Sequence, residues 1–306
     1  MIKIDGLSKA YGSTWALNDV SFTIDTGDMF GLIGPNGAGK TTLIRILATL
    51  LNPTRGTASI DGLSVTNCAD KIKAMIGYLP DFFGVYEDMR VREYLEFFAA
   101  VYGLRNPKRR QVVQGVLELT DLAGKREDII SSLSRGMQQR LGLARVLVHD
   151  PKILLLDEPA SGLDPRARIE IRALLKELRK MGKTILISSH ILADLADLCN
   201  KIGLIEKGKL LFAGDIHDAL NRVQAADVWI FEVAAETERA VEILKGQPRV
   251  RRVEARDGHI VVAVEGDEPH LLAQALLAQG LRLRSFRRED VTLEDAFLKL
   301  TKGEVQ

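Results

Sequence analysis

Val20, Phe22 and Ile24 alternate with Ser21, Thr23 and Asp25, the period-two pattern of a half-buried strand. The polar corner Thr26-Gly27-Asp28 separates it from a wholly apolar run, Met29 to Ile33, which reads as a buried strand. Gly34-Pro35-Asn36-Gly37-Ala38-Gly39-Lys40-Thr41-Thr42 follows without a break. A helix is then expected through Leu51, stopped by Asn52-Pro53 because proline cannot continue it. Two further apolar runs, Ile153 to Leu156 and Thr184 to Ser188, read as buried parallel strands. Between them Asp164 suits an N-cap and Pro165 a first helical residue. Ile169, Ile171, Leu174, Leu175 and Leu178 are expected to form the buried face of that helix, with Gly182 after its end. Strand, glycine-rich loop, helix, strand, helix, strand predicts an α/β sheet with crossover helices.

The pattern changes twice. From Asp81 to about His149 it becomes helical, as expected of a subdomain inserted between the halves of the α/β core. A second break falls near Asn221 to Ala226. Beyond it, Val228–Val233 reads as a strand, Glu236–Lys245 as a helix, and Arg251–Ala255 and His259–Val264 as a hairpin over Asp257-Gly258. Pro269–Ala278 reads as a helix, Leu281–Phe286 as a strand and Leu293–Leu300 as a last helix. The order βαββαβ predicts a small ferredoxin-like α+β domain. The expected organisation is a first domain over 1–220, with its helical part at about 82–150, a linker at 221–226 and an accessory domain over 227–306.

Composition narrows the class. A length of 306 residues suits two domains of roughly 150 residues each. A net charge of +1 supplies no field to draw the chain onto nucleic acid or anionic lipid. Cys68 and Cys199 match no metal-ligand or redox spacing, which fits a reducing compartment. No apolar run approaches the ~20 residues of a membrane span, and the N-terminus lacks a signal-peptide core. A soluble chain is expected, its membrane role, if any, depending on a partner.

Gly34-x-x-x-x-Gly39-Lys40-Thr41 is the phosphate-loop pattern between a strand and a helix, the context that separates it from a ligand-free glycine turn. Glycines let successive N–H groups point at phosphate oxygens, and the helix N-terminus adds positive potential. Lys40 is suited to the β- and γ-phosphates and the Thr41 hydroxyl to Mg²⁺. Ile153-Leu154-Leu155-Leu156-Asp157-Glu158 is an apolar strand ending in two carboxylates. Asp157 suits the outer sphere of Mg²⁺, and Glu158 a general base orienting the attacking water.

With these elements in place, residues 1–220 resemble the ABC (ATP-binding cassette) ATPases, whose signature corner has its counterpart in Leu133-Ser134-Arg135-Gly136-Met137-Gln138-Gln139-Arg140. The resemblance implies a phosphate-loop core with an antiparallel β-subdomain and an inserted helical subdomain. It implies that ATP is held by Tyr11 stacked on adenine and by Gly34, Asn36, Gly37, Ala38, Gly39, Lys40, Thr41 and Thr42. Ser134, Gly136 and Gln138 would act on the ATP of a second subunit, either another copy or a paralogue. Ser161 and Asp164 would lie in the loop crossing that interface, and His190 would contact the γ-phosphate. Mg²⁺ would be served by Thr41, Asp157 and Asp81. The implied function is the ATPase subunit of an exporter, peripheral on the cytoplasmic face of the membrane beside a separate permease.

Three positions depart from the family's common pattern. Asp81 stands where Gln is usual, and either coordinates Mg²⁺ less directly or has lost that role. Arg135 and Met137 stand where Gly and Gln are commoner; Arg135 is either tolerated or adds charge beside the γ-phosphate, as an arginine finger does. Residues 82–102 hold seven of the chain's seventeen aromatics, so this stretch either packs the helical subdomain or lines a groove for a membrane partner. Phe82, Phe83 and Tyr86 are expected to line such a groove, and Tyr94, Phe97 and Phe98 to pack. The C-terminal domain carries Arg249, Arg251, Arg252, Arg282, Arg284, Arg287 and Arg288, but acids are as numerous and Ile260–Val264 lacks a stacking aromatic, so nucleic acid is not an expected partner. A ribosome- or DNA-acting ABC ATPase and an importer ATPase are the rival readings. No Asn-Lys-x-Asp motif favours a GTPase.

Overall fold

The computed structural model describes residues 1–82, 84–216, 218–219, 227–256, 258–264 and 269–288. Phe83, the 221–226 linker, Asp257 of the hairpin turn and the helix expected at Leu293–Leu300 lie outside the described residues. The chain divides into two units, Met1–Ile216 and His217–Gln306.

In the first unit, strands β1 (Ile2–Tyr11), β2 (Thr14–Ile24), β4 (Arg55–Ile60) and β5 (Leu63–Ser64) form an antiparallel sheet in the order β2-β1-β4-β5. Along β2 the side chains of Val20, Phe22 and Ile24 are buried, as their alternation with polar residues requires. A six-stranded sheet runs beside it: β10 (Lys209–Asp215), β9 (Lys201–Glu206), β3 (Met29–Ile33), β8 (Thr184–Ser189), β7 (Ile153–Asp157) and β6 (Ile76–Leu79), in that order. All but β10 pair in parallel. Every residue of β3, β7 and β8 is buried, which is why their central positions are apolar without alternation.

The helices of this unit are α1 (Lys40–Leu47), α2 (Ala69–Met75), α3 (Val91–Val101), α4 (Lys108–Leu119), α5 (Arg135–Leu147), α6 (Pro165–Lys180) and α7 (Ala193–Ala196). Helix α1 stops at Leu47, four residues before the expected Leu51. Thr49 adopts φ +60°, its N–H donates to the Ile46 carbonyl, and the Leu50 N–H donates back to Arg45. That is a Schellman closure completed before Pro53 is reached. Helix α6 is capped as expected: Asp164 Oδ1 accepts from the Ala167 N–H at 2.9 Å, ahead of Pro165. Its buried face is Ala167, Ile171, Leu174, Leu175 and Leu178, while Ile169, expected in that face, is 60% exposed. Two residues turn a helix by about 200°, which sets Ile169 opposite Ile171.

At the end of the six-stranded sheet away from the phosphate loop, a polar cluster ties β3 to β9. Asn200 donates to Asp28 Oδ1 at 2.8 Å and accepts from the Met29 N–H at 2.8 Å, and Lys201 pairs with Asp28 at 2.9 Å. Burial pushes the Asp28 carboxyl up, but the bonds from Lys201, Asn200 and the Asp25 backbone outweigh it and leave its pKa below the ordinary range. A depressed carboxylate stabilises the fold above its unfolded pKa and loses that contribution as pH falls through the folded value. The stability difference between wild type and Asp28→Asn is therefore expected to be complete at neutral pH and to close in acid, as read by urea unfolding across a pH series. A difference that persists unchanged in acid contradicts this.

The second unit holds β11 (Asp227–Val233), α8 (Thr237–Lys245), β12 (Val250–Arg256), β13 (His259–Val264), α9 (Pro269–Ala278) and β14 (Leu283–Arg288). Its sheet is antiparallel throughout, in the order β12-β13-β11-β14, the arrangement of two interleaved split βαβ units. Phe231, Ile260, Val262, Leu244 and Leu276 form its core.

Candidate active site

Parallel pairing sets four strand ends level. Ile33 is opposite Ser189, Asp157 opposite Ser188, and Leu79 opposite Leu156. The segments that leave these ends are the phosphate loop, Glu158, His190 and Asp81, so four stretches far apart in sequence meet on one edge. The carboxyl edge of such a sheet is where open α/β folds bind ligands.

The phosphate loop is built against backbone. Gly37 and Gly39 adopt φ +80° and +110°, and a Cβ on Gly39 would overlap the Ala16 carbonyl oxygen and stand 2.9 Å from Leu17 Cδ2. The Gly208 N–H, in the turn between β9 and β10, donates to the Ala38 carbonyl at 3.0 Å. Pro35, Asn36 and Gly37 are exposed at the crest. Lys40, only 5% exposed, donates to the Gly34 carbonyl at 2.6 Å and the Pro35 carbonyl at 3.2 Å. Its Nζ also lies 3.3 Å from Glu158 Oε1.

Glu158 has φ +50°, a conformation that costs a non-glycine residue of order 1–3 kcal/mol and persists only where surroundings enforce it. Here Ser188 enforces it. Ser188 Oγ accepts from the Glu158 N–H at 2.9 Å and donates to Asp157 Oδ1 at 2.7 Å, fixing both carboxylate residues from a fully buried position. The Glu158 carboxylate is held from two sides, by Lys40 and by His190 Nδ1 at 2.8 Å from Oε2. Asp157 Oδ2 is buried with no hydrogen-bond partner. Burial, then the charges of Asp157 and Glu158, push the Asp81 carboxyl above its ordinary range, while Arg135 and His190 oppose the shift. Among the described residues no group of three or more His, Cys, Asp or Glu could hold a metal by itself.

Tyr11 is 51% exposed at the end of β1, with Lys9 Nζ 5.5 Å from its ring centre. Ser134 caps α5, its Oγ accepting from the Met137 N–H at 3.3 Å. A Cβ on Gly136 would stand 2.9 Å from Ala167 Cβ, so packing of α5 on α6 requires this glycine independently of any ligand. Gln138 donates to the Ile130 carbonyl at 3.4 Å. Asp164 is taken up as the cap of α6 and Ser161 is half-buried beside it. The lysine, the paired carboxylates and the histidine are thus brought together within this chain, whereas the Ser134 corner stands on a separate helix start.

The family profile described as ABC transporter matches residues 17–161. The chain is 34% identical over 313 residues to the Nod factor export ATP-binding protein I of Ralstonia nicotianae, covering 100% of this chain and 95% of that protein.

The chain belongs to the ABC transporter ATP-binding family.

The protein of the same description from Paraburkholderia xenovorans is 36% identical over 309 residues, covering 100% of this chain and 98% of that one. A solved ATP-binding subunit of an ABC transporter superposes with a TM-score of 0.65 at 29% identity, over 72% of this chain and 92% of its own. A dimeric bacterial ABC transporter cassette does so at 0.64 and 27% identity, over 71% of this chain and 99% of its own. The chain is accordingly the ATP-binding and ATP-hydrolysing subunit of an ABC transporter. From sequence Ser188 is marked only by the polar pair Ser188-Ser189 closing an otherwise apolar strand. Arg140, the last residue of the signature segment, has a structural place that local pattern does not show. It is buried, bonds Asp121 Oδ2 at 2.9 Å and lies 3.7 Å from Glu170, joining the helical segment to α6.

Proposed function

We propose that this chain powers export through a separately encoded membrane permease, by closing on a second ATPase subunit around two Mg-ATP molecules. The observation that carries the reading is the single constellation of Lys40, Asp157, Glu158, Ser188 and His190 at the sheet edge. Export is supported by the relatives, which are named for Nod factor export. The first unit is the ATPase and the second an accessory domain.

Tyr11 would stack on the adenine, and 34–42 would wrap the phosphates with backbone N–H groups. The Lys40 ammonium would turn from the Gly34 carbonyl to the β- and γ-phosphates, two acceptors of greater charge. Mg²⁺ fits this donor set: the Thr41 hydroxyl can ligand it together with phosphate oxygens, and the unpartnered Asp157 Oδ2 can hold one of its waters. Bound there, it would neutralise charge developing on the transferred phosphoryl group. Asp81 would reach the same sphere through water. Glu158 would accept the proton of the attacking water while His190 orients its carboxylate. Ser134 with the Gly136 backbone and Gln138 would face the partner's γ-phosphate, and the segment from Ser161 to Asp164 would lie between the subunits.

The permease would dock beside the aromatic stretch. Phe82 is 88% exposed and Tyr86 57%, whereas Tyr94 is fully buried, stacking edge-on to Phe98 at 4.9 Å. Tyr86 lies 6.2 Å from Phe97, which is itself partly open, so the rings present one apolar surface. Co-expression with the membrane subunit tests this. Phe82→Asp is expected to abolish co-purification with that subunit while ATP binding by the purified chain persists. Undiminished co-purification would remove Phe82 from the interface.

A further inference from the structure

Arg135 opens α5 directly after the Ser134 cap, and its guanidinium lies against Gly162. A Cβ placed on Gly162 would stand 2.7 Å from Arg135 Cζ and 2.8 Å from Nη1, with Nη2 closer still. Approach of both terminal nitrogens and Cζ means that the Nη edge of the guanidinium overhangs the glycine. Gly162 has φ +64° and belongs to the segment between Glu158 and the Asp164 cap. One residue along α5, Gly136 presses on Ala167 in the first turn of α6. The first turn of α5 therefore touches the segment after Glu158 and the helix into which that segment runs. Otherwise the segment is tied by the Ser161 N–H to the Glu158 carbonyl at 3.0 Å and by Arg168 Nε to the Leu163 carbonyl at 3.0 Å. The Arg135 charge also reaches Asp81, where it opposes the upward push from burial and from Asp157 and Glu158.

We infer that Arg135 is a positioning residue acting within its own chain: its guanidinium, seated on Gly162, holds the segment between Glu158 and Asp164 against the start of α5 and so fixes Glu158 for hydrolysis. The inference rests on the ATPase reading of Glu158 and on the head-to-tail pair. It differs from an arginine finger, which would act on the partner's phosphate. A lysine has one terminal nitrogen in place of this broad two-nitrogen edge and cannot replace it.

Mixed dimers separate the two. With Glu158→Gln in one subunit, a single competent site remains, made of the intact subunit's Lys40 and Glu158 and the other's Ser134. Arg135→Ala in the subunit that keeps Glu158 is expected to lower kcat about tenfold more than the same change in the other subunit, with the KM for ATP moving less than about twofold; a tenfold loss is a modest misplacement of a reacting group. Arg135→Lys in that position is expected to behave like Arg135→Ala. Gly162→Ala, whose Cβ displaces the guanidinium, should reproduce the loss, and adding Arg135→Ala to it should lower kcat no further. Thermal melting checks that each dimer is folded. A greater loss with Arg135→Ala in the Glu158→Gln subunit, equal losses from both placements, or no loss from either overturns the inference. Single-turnover hydrolysis reads the same rates where the Glu158→Gln site holds the mixed dimer closed, and wild-type dimers that hydrolyse no ATP would instead fail the ATPase reading.

Discussion

Glu158→Gln is expected to lower ATP turnover by about 10²–10⁴-fold, the range a positioned general base contributes, while strengthening ATP-dependent pairing of two chains. The side chain is held in place rather than free. Lys40 and His190 grip its two oxygens, and the backbone sits at φ +50° because Ser188 takes its N–H. Glutamine is nearly isosteric, so the backbone bond to Ser188 and the packing survive, and only the capacity to accept a proton is lost. ATP binding should therefore persist without the step that separates the subunits. Turnover assays give the first outcome, and size-exclusion chromatography with and without ATP the second. Turnover within a few-fold of wild type, or a variant that pairs no better with ATP, contradicts the assignment of Glu158.

Gly39→Ala is expected to reduce ATP affinity at least tenfold and to lower the melting temperature. Two costs combine at this position. A φ of +110° lies outside what an L-residue adopts without strain, of order 1–3 kcal/mol, and the added Cβ runs into the Ala16 carbonyl of β2. The nearest atom is the backbone carbonyl oxygen of Ala16, which cannot turn aside as the Leu17 side chain can. Gly37→Ala serves as the comparison, since Gly37 has φ +80° but nothing within 4 Å of a built Cβ. It carries the conformational cost alone and should bind ATP better than Gly39→Ala. Fluorescent-nucleotide titration and thermal unfolding read both quantities. Equal behaviour of the two variants would show that contact with Ala16 contributes nothing.

The aromatic stretch and the Arg135 departure show why some roles needed coordinates in space. Tyr94, expected to pack, is buried and Phe82 is in solvent, but Phe97, also expected to pack, is 47% exposed, a difference that only burial reveals. Arg135 is 27 residues from Gly162, and nothing in local spacing sets one on the other. Helix α1 ended early because a threonine adopted a left-handed conformation more typical of glycine, which no local pattern announced. Ile169 lies off the expected buried face of α6 because two residues turn a helix by about 200°, so it cannot share a stripe with Ile171.

Local pattern was enough for the phosphate loop, the strand that ends in Asp157 and Glu158, the Asp164 cap and the alternation of elements, because each depends on side-chain period or backbone freedom within a few residues. It also placed the chain among ABC ATPases through motifs in a set order. Tertiary structure alone decided that Lys40 and His190 grip opposite oxygens of Glu158, and that Ser188 holds both acidic residues from β8. It alone decided too that Arg135 lies on Gly162. These contacts arise from the register of parallel strands and the crossing of helices, which join residues far apart in the chain. A parallel pair needs a long crossover connection, so the groups it aligns are never neighbours in sequence.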